Sequence, residues 1–199
     1  MRRILLLVPV LLLSACFVDT TGISAESSAT PHPATAQNAG VTVVEYADLE
    51  CPACKTVTAQ VVKPLIAKYG TQIRLDFKHF PIQSIHRYAY QTAQAAECAA
   101  DQGKYWDWID YVYEHQEELP NKPFVEWAKQ FNLDADIFDR CLRSGIKEDV
   151  VDADYQEGLK LGVDSTPTFF VNGQKIVIQD GTTLDKAVAE ALSKVGSKL

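Results

Sequence analysis

Two cysteines held two residues apart, Cys51-Pro52-Ala53-Cys54, directly follow the β-branched run Val41-Thr42-Val43-Val44-Glu45-Tyr46. Proline suits the first turn of a helix, which leaves Cys51 at the helix start. There the unpaired backbone N–H groups and the helix dipole favour a thiolate. A free cysteine titrates near 8.5, and sites of this kind fall to between about 3.5 and 7.5. Cys54, one turn on and more enclosed, can attack a mixed disulfide formed at Cys51, so the pair can pass a disulfide to or from another molecule. Two other readings compete. Zinc needs a second ligand pair, and the sequence has no second C-x-x-C and no H-x₃₋₅-H. An inert disulfide across two residues is possible, but a fold of this size is rarely held that way.

The elements that position this motif follow from the hydrophobic pattern. The run from Val41 to Tyr46 reads as a buried strand. A helix should follow from Cys51 or Pro52 to Tyr69, closed by Gly70 and kinked at Pro64. Ile73-Arg74-Leu75-Asp76-Phe77-Lys78-His79-Phe80 alternates and ends at Pro81, which predicts a second strand. From about residue 84 to 161 the pattern is helical, with breaks at Gly103, around Leu119-Pro120-Asn121-Lys122-Pro123, and at Asn132, Gly145 and Gly162. Thr168-Phe169-Phe170-Val171, then Asn172-Gly173, then Lys175-Ile176-Val177-Ile178 predicts a hairpin, since Asn-Gly fits a type I′ turn. A last amphipathic helix starts near Thr182 or Thr183 and runs to about Val195. The order is β-α-β, a helical insertion, then β-β-α, an α/β fold in one domain over residues 41–199.

The start of the chain reads as an address. Met1-Arg2-Arg3 precedes an apolar run of residues 4–13, too short to span a bilayer of roughly 30 Å as a helix. Leu13-Ser14-Ala15-Cys16 resembles a bacterial lipoprotein signal, in which the cysteine is acylated and becomes the new N-terminus. Residues 1–15 are then a signal peptide, Cys16 the lipidation site, and the protein a lipid-anchored one working outside the cytoplasm. Ordinary cleavage with Cys16 as an incidental thiol is the alternative. The remainder of residues 16–40 is rich in Ala, Ser, Thr and Pro. It reads as a flexible linker holding the domain on the order of 25 Å from the membrane, with His32 a solvated part of it.

With 47% hydrophobic residues and 19 Trp, Tyr and Phe side chains, the chain is too apolar for disorder. Its net charge of −7 excludes a nucleic-acid partner, because nothing basic is available to replace phosphate counterions. Five cysteines are an odd count, so at least one lies outside any intramolecular pair.

Glu45-Tyr46-Ala47-Asp48-Leu49-Glu50-Cys51-Pro52-Ala53-Cys54-Lys55 resembles the active-site strand and helix start of the DsbA-like thiol–disulfide oxidoreductases of the thioredoxin superfamily. Lys78-His79-Phe80-Pro81-Ile82 is similar to the end of that family's next core strand. Ala95-Ala96-Glu97-Cys98-Ala99 and Gly103-Lys104-Tyr105-Trp106 resemble its inserted helical domain. Thr166-Pro167-Thr168-Phe169-Phe170-Val171-Asn172-Gly173 resembles its cis-proline loop and hairpin. The resemblance implies a thioredoxin fold with a helical insertion. It makes Cys51 the nucleophile and Cys54 the resolving thiol, and places a cis Pro167 against their disulfide. Thr166 would offer its backbone to a substrate strand. Glu45 would be a buried acid assisting proton transfer at Cys54; otherwise it is a strand-end charge reaching water. No cofactor or metal is implied. The implied substrates are reduced or unfolded exported proteins, and the re-oxidant a quinone-linked membrane thiol oxidase of the DsbB or vitamin-K-epoxide-reductase (VKOR) type. A monomer is expected. Ala53 stands where the best-known oxidases carry histidine, which implies a weaker oxidant with a higher Cys51 pKa. A reductase or isomerase of the same fold, and a non-enzymatic lipoprotein binding a peptide or metal, are the alternatives.

Cys98 and Cys141 fall on helical, partly apolar segments of the insertion. In an oxidising compartment they most simply form a structural disulfide worth roughly 3–4 kcal/mol in the chain-entropy model; otherwise they are two buried thiols. Trp106, Trp108, Ile109, Tyr111, Val112 and Tyr113 read as core and rim of the insertion. His79 and His86 lie within reach of the site but read first as ordinary surface or core groups. Glu114, Glu117 and Glu118 read as a solvated face.

Overall fold

The strand formed by Val41–Ala47 (β1) alternates only weakly in burial, as a strand covered on both faces must. In the computed structural model, which describes residues 18–196, β1 is the second strand of a four-stranded sheet of order β2-β1-β3-β4. It pairs in parallel with β2 (Ile73–His79), from Val41 opposite Ile73 to Ala47 opposite His79. It pairs antiparallel with β3 (Thr168–Val171), where Glu45 faces Phe169 and Tyr46 faces Thr168. The edge strand β4 (Gln174–Ile176) turns back on β3. Asn172 and Gly173 have φ of +48° and +80°, the left-handed pair that a type I′ turn requires. β4 ends two residues before the expected Ile178. Only one side of it is paired, and Val177 beyond it is 70% exposed.

The long helix after β1 is interrupted. Pro52–Val57 (α1) and Lys63–Tyr69 (α2) flank a π turn at Thr58–Val62, whose last bond runs from the Lys63 N–H to the Thr58 carbonyl. The distortion lies just ahead of Pro64, as expected of a residue that lacks an N–H and crowds the carbonyl four residues back. Val61 and Leu65 pack with Val43, Ile73 and Phe169 of the sheet and with Leu184 and Val188 of the last helix, Thr183–Gly196 (α8).

Five helices form the insertion: Ala89–Ala100 (α3), Tyr105–Glu114 (α4), Phe124–Gln130 (α5), Ala135–Ser144 (α6) and Glu148–Lys160 (α7). They are separated or ended at Gly103, Lys122, Asn132, Gly145 and Gly162, each with positive φ. Trp108, Trp127 and Phe138 fill the centre of this subdomain. A disulfide of 1.99 Å joins Cys98 of α3 to Cys141 of α6. α7 returns to the sheet, and Gly158 permits the contact: a Cβ there would lie 2.7 Å from the Phe80 ring and 3.0 Å from Tyr46. Cys51 and Cys54 belong to the same buried cluster as Trp108 and Ile109, which puts the motif at the seam between sheet and insertion.

The described part of the N-terminal segment differs from the flexible linker expected of residues 16–40. It has no helix or strand, yet it is strapped to the domain. The His32 and Ala36 N–H groups donate to the Leu75 and Ile73 carbonyls on the outer edge of β2, at 2.9 Å each. Ser27 Oγ donates to Glu97 Oε2 at 2.7 Å. The fully buried Lys147 ammonium donates to the Glu26 carbonyl and to Asp101 Oδ1, at 2.8 and 2.7 Å. His32 is half-buried, with its ring 4.8 Å from that of Trp106. The physical reason is the open edge of β2, whose backbone groups need partners. Cys16 and the expected signal peptide lie outside the described residues.

Candidate functional site

Leaving the sheet after Ala47, the chain is fixed by Asp48, which is buried. Its Oδ2 accepts from the Ile82 N–H at 2.8 Å and faces His86 Nδ1 at 2.7 Å. Its Oδ1 accepts from the Glu50 N–H at 2.8 Å, and its carbonyl from the Cys51 N–H at 3.1 Å. Glu50 Oε2 accepts from the Tyr88 N–H at 2.6 Å. The turn that presents Cys51 is thereby bolted to residues 80–88. From the other side, Gln116 Nε2 donates to the Leu49 and Cys51 carbonyls at 2.9 and 3.0 Å.

The two sulfurs occupy unlike surroundings. Cys51 Sγ lies 3.6 Å from the Thr166 carbonyl oxygen, and the Thr166–Pro167 peptide bond is cis. A hydrogen bond from the Cys54 side chain, ahead of smaller ones from the Cys54 and Ala53 backbone, pulls the Cys51 pKa down to about 5 against the opposing effect of burial. Cys54 is fully enclosed, and burial, reinforced by its bond to Cys51, pushes its thiol far above the usual range. Ala53 is exposed and supplies only a backbone group to the thiolate. Its missing side chain therefore does not prevent a strong depression at Cys51.

Glu45 points from β1 beneath the motif. It is 2% exposed, its Oε1 has no hydrogen-bond partner among the described residues, and burial raises its pKa to about 8. A strand-end charge reaching water is therefore not what the structure has. The structure brings together Glu45, Cys51, Cys54 and the Thr166–Pro167 segment. His86 approaches the site through Asp48, whereas His79 lies elsewhere, between Glu97 Oε1 and the Tyr105 hydroxyl at 3.2 Å each. Sequence reasoning missed Asp48, Glu50, Gln116 and the role of His86. The signal available for Asp48 was an Asx-type residue whose side chain caps the amide two positions on; Gln116 carried none. Among the described residues no cluster of three or more His, Cys, Asp or Glu side chains is arranged to hold a metal ion, and no helix is long and apolar enough to cross a membrane.

The thioredoxin family profile matches residues 28–191. The chain belongs to the thioredoxin family. Among proteins of similar sequence, it is 40% identical over 144 residues to the Na(+)/H(+) antiporter NhaA 3 of Salinispora tropica, covering 70% of this chain and 21% of the antiporter. The NhaA of Herminiimonas arsenicoxydans is 33% identical over 140 residues, covering 70% and 22%. The chain thus spans about a fifth of the length of the curated relatives it matches. In fold it is similar to a thioredoxin-like oxidoreductase from Silicibacter pomeroyi, with TM-score 0.71, 24% identity, and 82% and 92% of the two chains covered. BdbD from Bacillus subtilis aligns with TM-score 0.67 and 21% identity over 79% and 88%. MdbA, a thiol-disulfide oxidoreductase from Corynebacterium diphtheriae, aligns with TM-score 0.63 and 19% identity over 76% and 84%. This member of the thioredoxin family has the DsbA-like form of the fold, with the helical insertion between β2 and β3.

Proposed function

We propose that the chain is an extracytoplasmic thiol–disulfide oxidoreductase that oxidises protein dithiols through a mixed disulfide at Cys51. One observation carries the reading: Cys51 sits at a helix start with its sulfur 3.6 Å from the carbonyl that precedes a cis proline, while Cys54 one turn on is fully buried, and these unlike surroundings lower the first thiol's pKa and raise the second's. A thiolate stabilised in the reduced form favours the pair as electron acceptor.

The reaction balances as two exchanges. A substrate thiolate attacks Cys51 Sγ of the Cys51–Cys54 disulfide, and Cys54 leaves as a thiolate. Glu45, held protonated at neutral pH by burial, is the acid placed to supply a proton to Cys54. A second substrate thiolate then attacks the substrate sulfur of the mixed disulfide and releases Cys51 as a thiolate. Two electrons pass from substrate to the pair, and the substrate leaves as a disulfide. Thr166 and Pro167, beside Cys51 Sγ, form the wall against which the substrate backbone lies. A quinone-linked membrane thiol oxidase of the DsbB or VKOR type returns the dithiol to the disulfide. Acylation at Cys16 tethers the protein to the membrane, and the Cys98–Cys141 bridge braces the insertion without entering the cycle.

The test is to oxidise the full chain, mix it with a reduced unfolded protein and follow disulfide formation in the substrate. Stoichiometric oxidation, abolished in Cys51→Ser, is expected. A chain that leaves the substrate reduced, yet reduces its disulfides when supplied as the dithiol, is instead a reductase.

A further inference from the structure

Gln116 opens the 3₁₀ turn Gln116–Asn121, which follows α4 after His115. Its Nε2 lies 2.9 Å from the Leu49 carbonyl oxygen and 3.0 Å from that of Cys51. Both partners are acceptors, so the group between them is the amide nitrogen, whose two N–H groups serve one carbonyl each. Leu49 is buried, and no other donor among the described residues reaches its carbonyl. The Cys51 carbonyl has one further partner, the Lys55 N–H at 3.2 Å. One side chain of the insertion therefore grips the turn that presents the nucleophile.

Gln116 is itself fixed on both flanks. The His115 ring stacks on that of Tyr111 at 3.9 Å, with Nδ1 2.9 Å from the Tyr111 carbonyl oxygen. Leu119 is fully buried in the cluster that contains Cys51, Cys54 and Tyr113. Lys55 Nζ donates to the Glu114 carbonyl at 3.3 Å, so the end of α4 holds the motif helix again one turn on. A side chain carried on so rigid a support loses less freedom when it bonds than one on a mobile loop.

The amide nitrogen is the positive end of the side-chain dipole, and it lies against the carbonyl of the residue whose sulfur ionises. It offsets the partial negative charge of that carbonyl, which belongs to the same residue as the thiolate. Holding the Leu49 and Cys51 carbonyls also fixes the backbone that leads to the Ala53 and Cys54 N–H groups, which donate to the Cys51 sulfur. We infer that Gln116 is a positioning residue for thiol–disulfide exchange: it reaches from the insertion to the Leu49 and Cys51 carbonyls and so stabilises the reduced form of the pair. The inference rests on the reading of Cys51 as the nucleophile.

The experiment equilibrates the full chain with reduced and oxidised glutathione and reads the ratio of dithiol to disulfide at Cys51 and Cys54. Gln116→Met keeps the length of the side chain and removes both donors. That ratio is expected to fall about two- to tenfold, the span of a typical hydrogen bond. Gln116→Lys keeps donors within reach of both carbonyls, and its ratio is expected to equal or exceed that of the unaltered chain. Gln116→Glu has nearly the native shape but presents acceptors; it shifts the ratio as Gln116→Met does and takes its place if that variant does not fold. Urea denaturation of each oxidised variant is measured alongside. A ratio that Gln116→Met and Gln116→Glu leave unmoved or raise, whatever their stability, overturns the inference and leaves Gln116 a support of the fold alone. Gln116→Lys falling like Gln116→Met overturns it as well, because the donors and not the packing are held responsible. The equilibrium is the same whichever way electrons flow in use, so failure here is separable from failure of the oxidase reading, which substrate oxidation and Cys51→Ser test.

Discussion

Cys51 Sγ lies 3.6 Å from the carbonyl oxygen of Thr166, a residue 115 positions later in the chain. Two segments joined only by the whole insertion meet at one sulfur, and the insertion packs over the second sulfur. The pair is divided by the burial of Cys54 and by the hydrogen bond from its thiol to the Cys51 sulfur, with Cys51 ionised at neutral pH and Cys54 not. Alkylation of the reduced protein is expected to modify Cys51 alone, with a midpoint near pH 5. Cys54→Ala removes the largest stabilising hydrogen bond and raises that midpoint. The sign of the linkage follows. The folded pKa of Cys51 lies below that of a free cysteine, so ionisation stabilises the folded dithiol, fully above about pH 8.5 and not at all once pH has fallen through about 5. Denaturation of the reduced chain against Cys51→Ala across this range measures it, and parallel pH profiles sink the assignment.

The dipeptide offers a second handle. Ala53 is exposed beside Cys51 and contributes only its backbone. A histidine there adds a cationic donor to the thiolate, which stabilises the reduced form. Ala53→His is expected to lower the Cys51 midpoint and raise the reduction potential, read by equilibration with glutathione. For the unaltered chain, a potential near about −120 mV marks a strong oxidant and one near about −270 mV a reductant. A potential that Ala53→His leaves unchanged contradicts the account.

Asp48 holds the turn that carries Cys51. Asp48→Ala leaves the part-buried Ile82 and Glu50 N–H groups without their acceptor, and a fully buried orphan costs about 1–3 kcal/mol, so these two together fall toward the low end of that range. A stability loss of that order is expected in urea denaturation. A fall in the rate of mixed-disulfide formation should accompany it, with Asp48→Asn intermediate in both. Loss of stability with the exchange rate unaltered argues that Asp48 holds the fold and does not position Cys51.

Local rules explain what could be read in advance. Asn172-Gly173 announces its turn because few residue pairs accept two positive φ values, and Gly103, Asn132, Gly145 and Gly162 mark helix breaks for the same reason. The element order, β-α-β, a helical insertion, then β-β-α, follows from the hydrophobic periods, whereas the sheet order β2-β1-β3-β4 comes only from the structure. The strap was not legible. Residues 18–40 hold on by backbone amides against the β2 edge and by serines reaching Glu97 and Asp101, and such bonds leave no periodicity in a sequence rich in Ala, Ser, Thr and Pro. The site was legible where it is local, at Cys51-Pro52-Ala53-Cys54. It was opaque where it is assembled at a distance, as in Asp48 with His86 or Gln116 with the Leu49 carbonyl.

The Cys98–Cys141 bridge ties α3 to α6 across 43 residues. In the chain-entropy model its removal costs roughly 3–4 kcal/mol. Cys98→Ala with Cys141→Ala is expected to lower the melting temperature and leave the alkylation midpoint of Cys51 near 5. If the double variant loses thiol exchange while keeping its melting temperature, the bridge belongs to the redox cycle and not to the scaffold.

Lys147 makes the last case, because its ammonium is fully buried and reaches both Asp101 and the strap. Removing one member of a buried ion pair costs about 3–5 kcal/mol, since the other charge is left without its partner. Asp101 keeps bonds from Ser28 Oγ at 2.7 Å and the Ser24 N–H at 3.2 Å, which places Lys147→Met at the lower end of that range. The loss has a direction in space: Glu26 of the strap loses its buried donor, whereas the Asp19–Arg140 ion pair, the packing of Ile23 and Ala29 on the insertion core and the His32 and Ala36 bonds to β2 are unaltered, so the strap loosens first around Glu26. Limited proteolysis of Lys147→Met is expected to cut within residues 18–40 at protease levels that leave the unaltered chain whole. A variant destabilised to this extent yet uncut in that segment shows the strap to be held independently of Lys147.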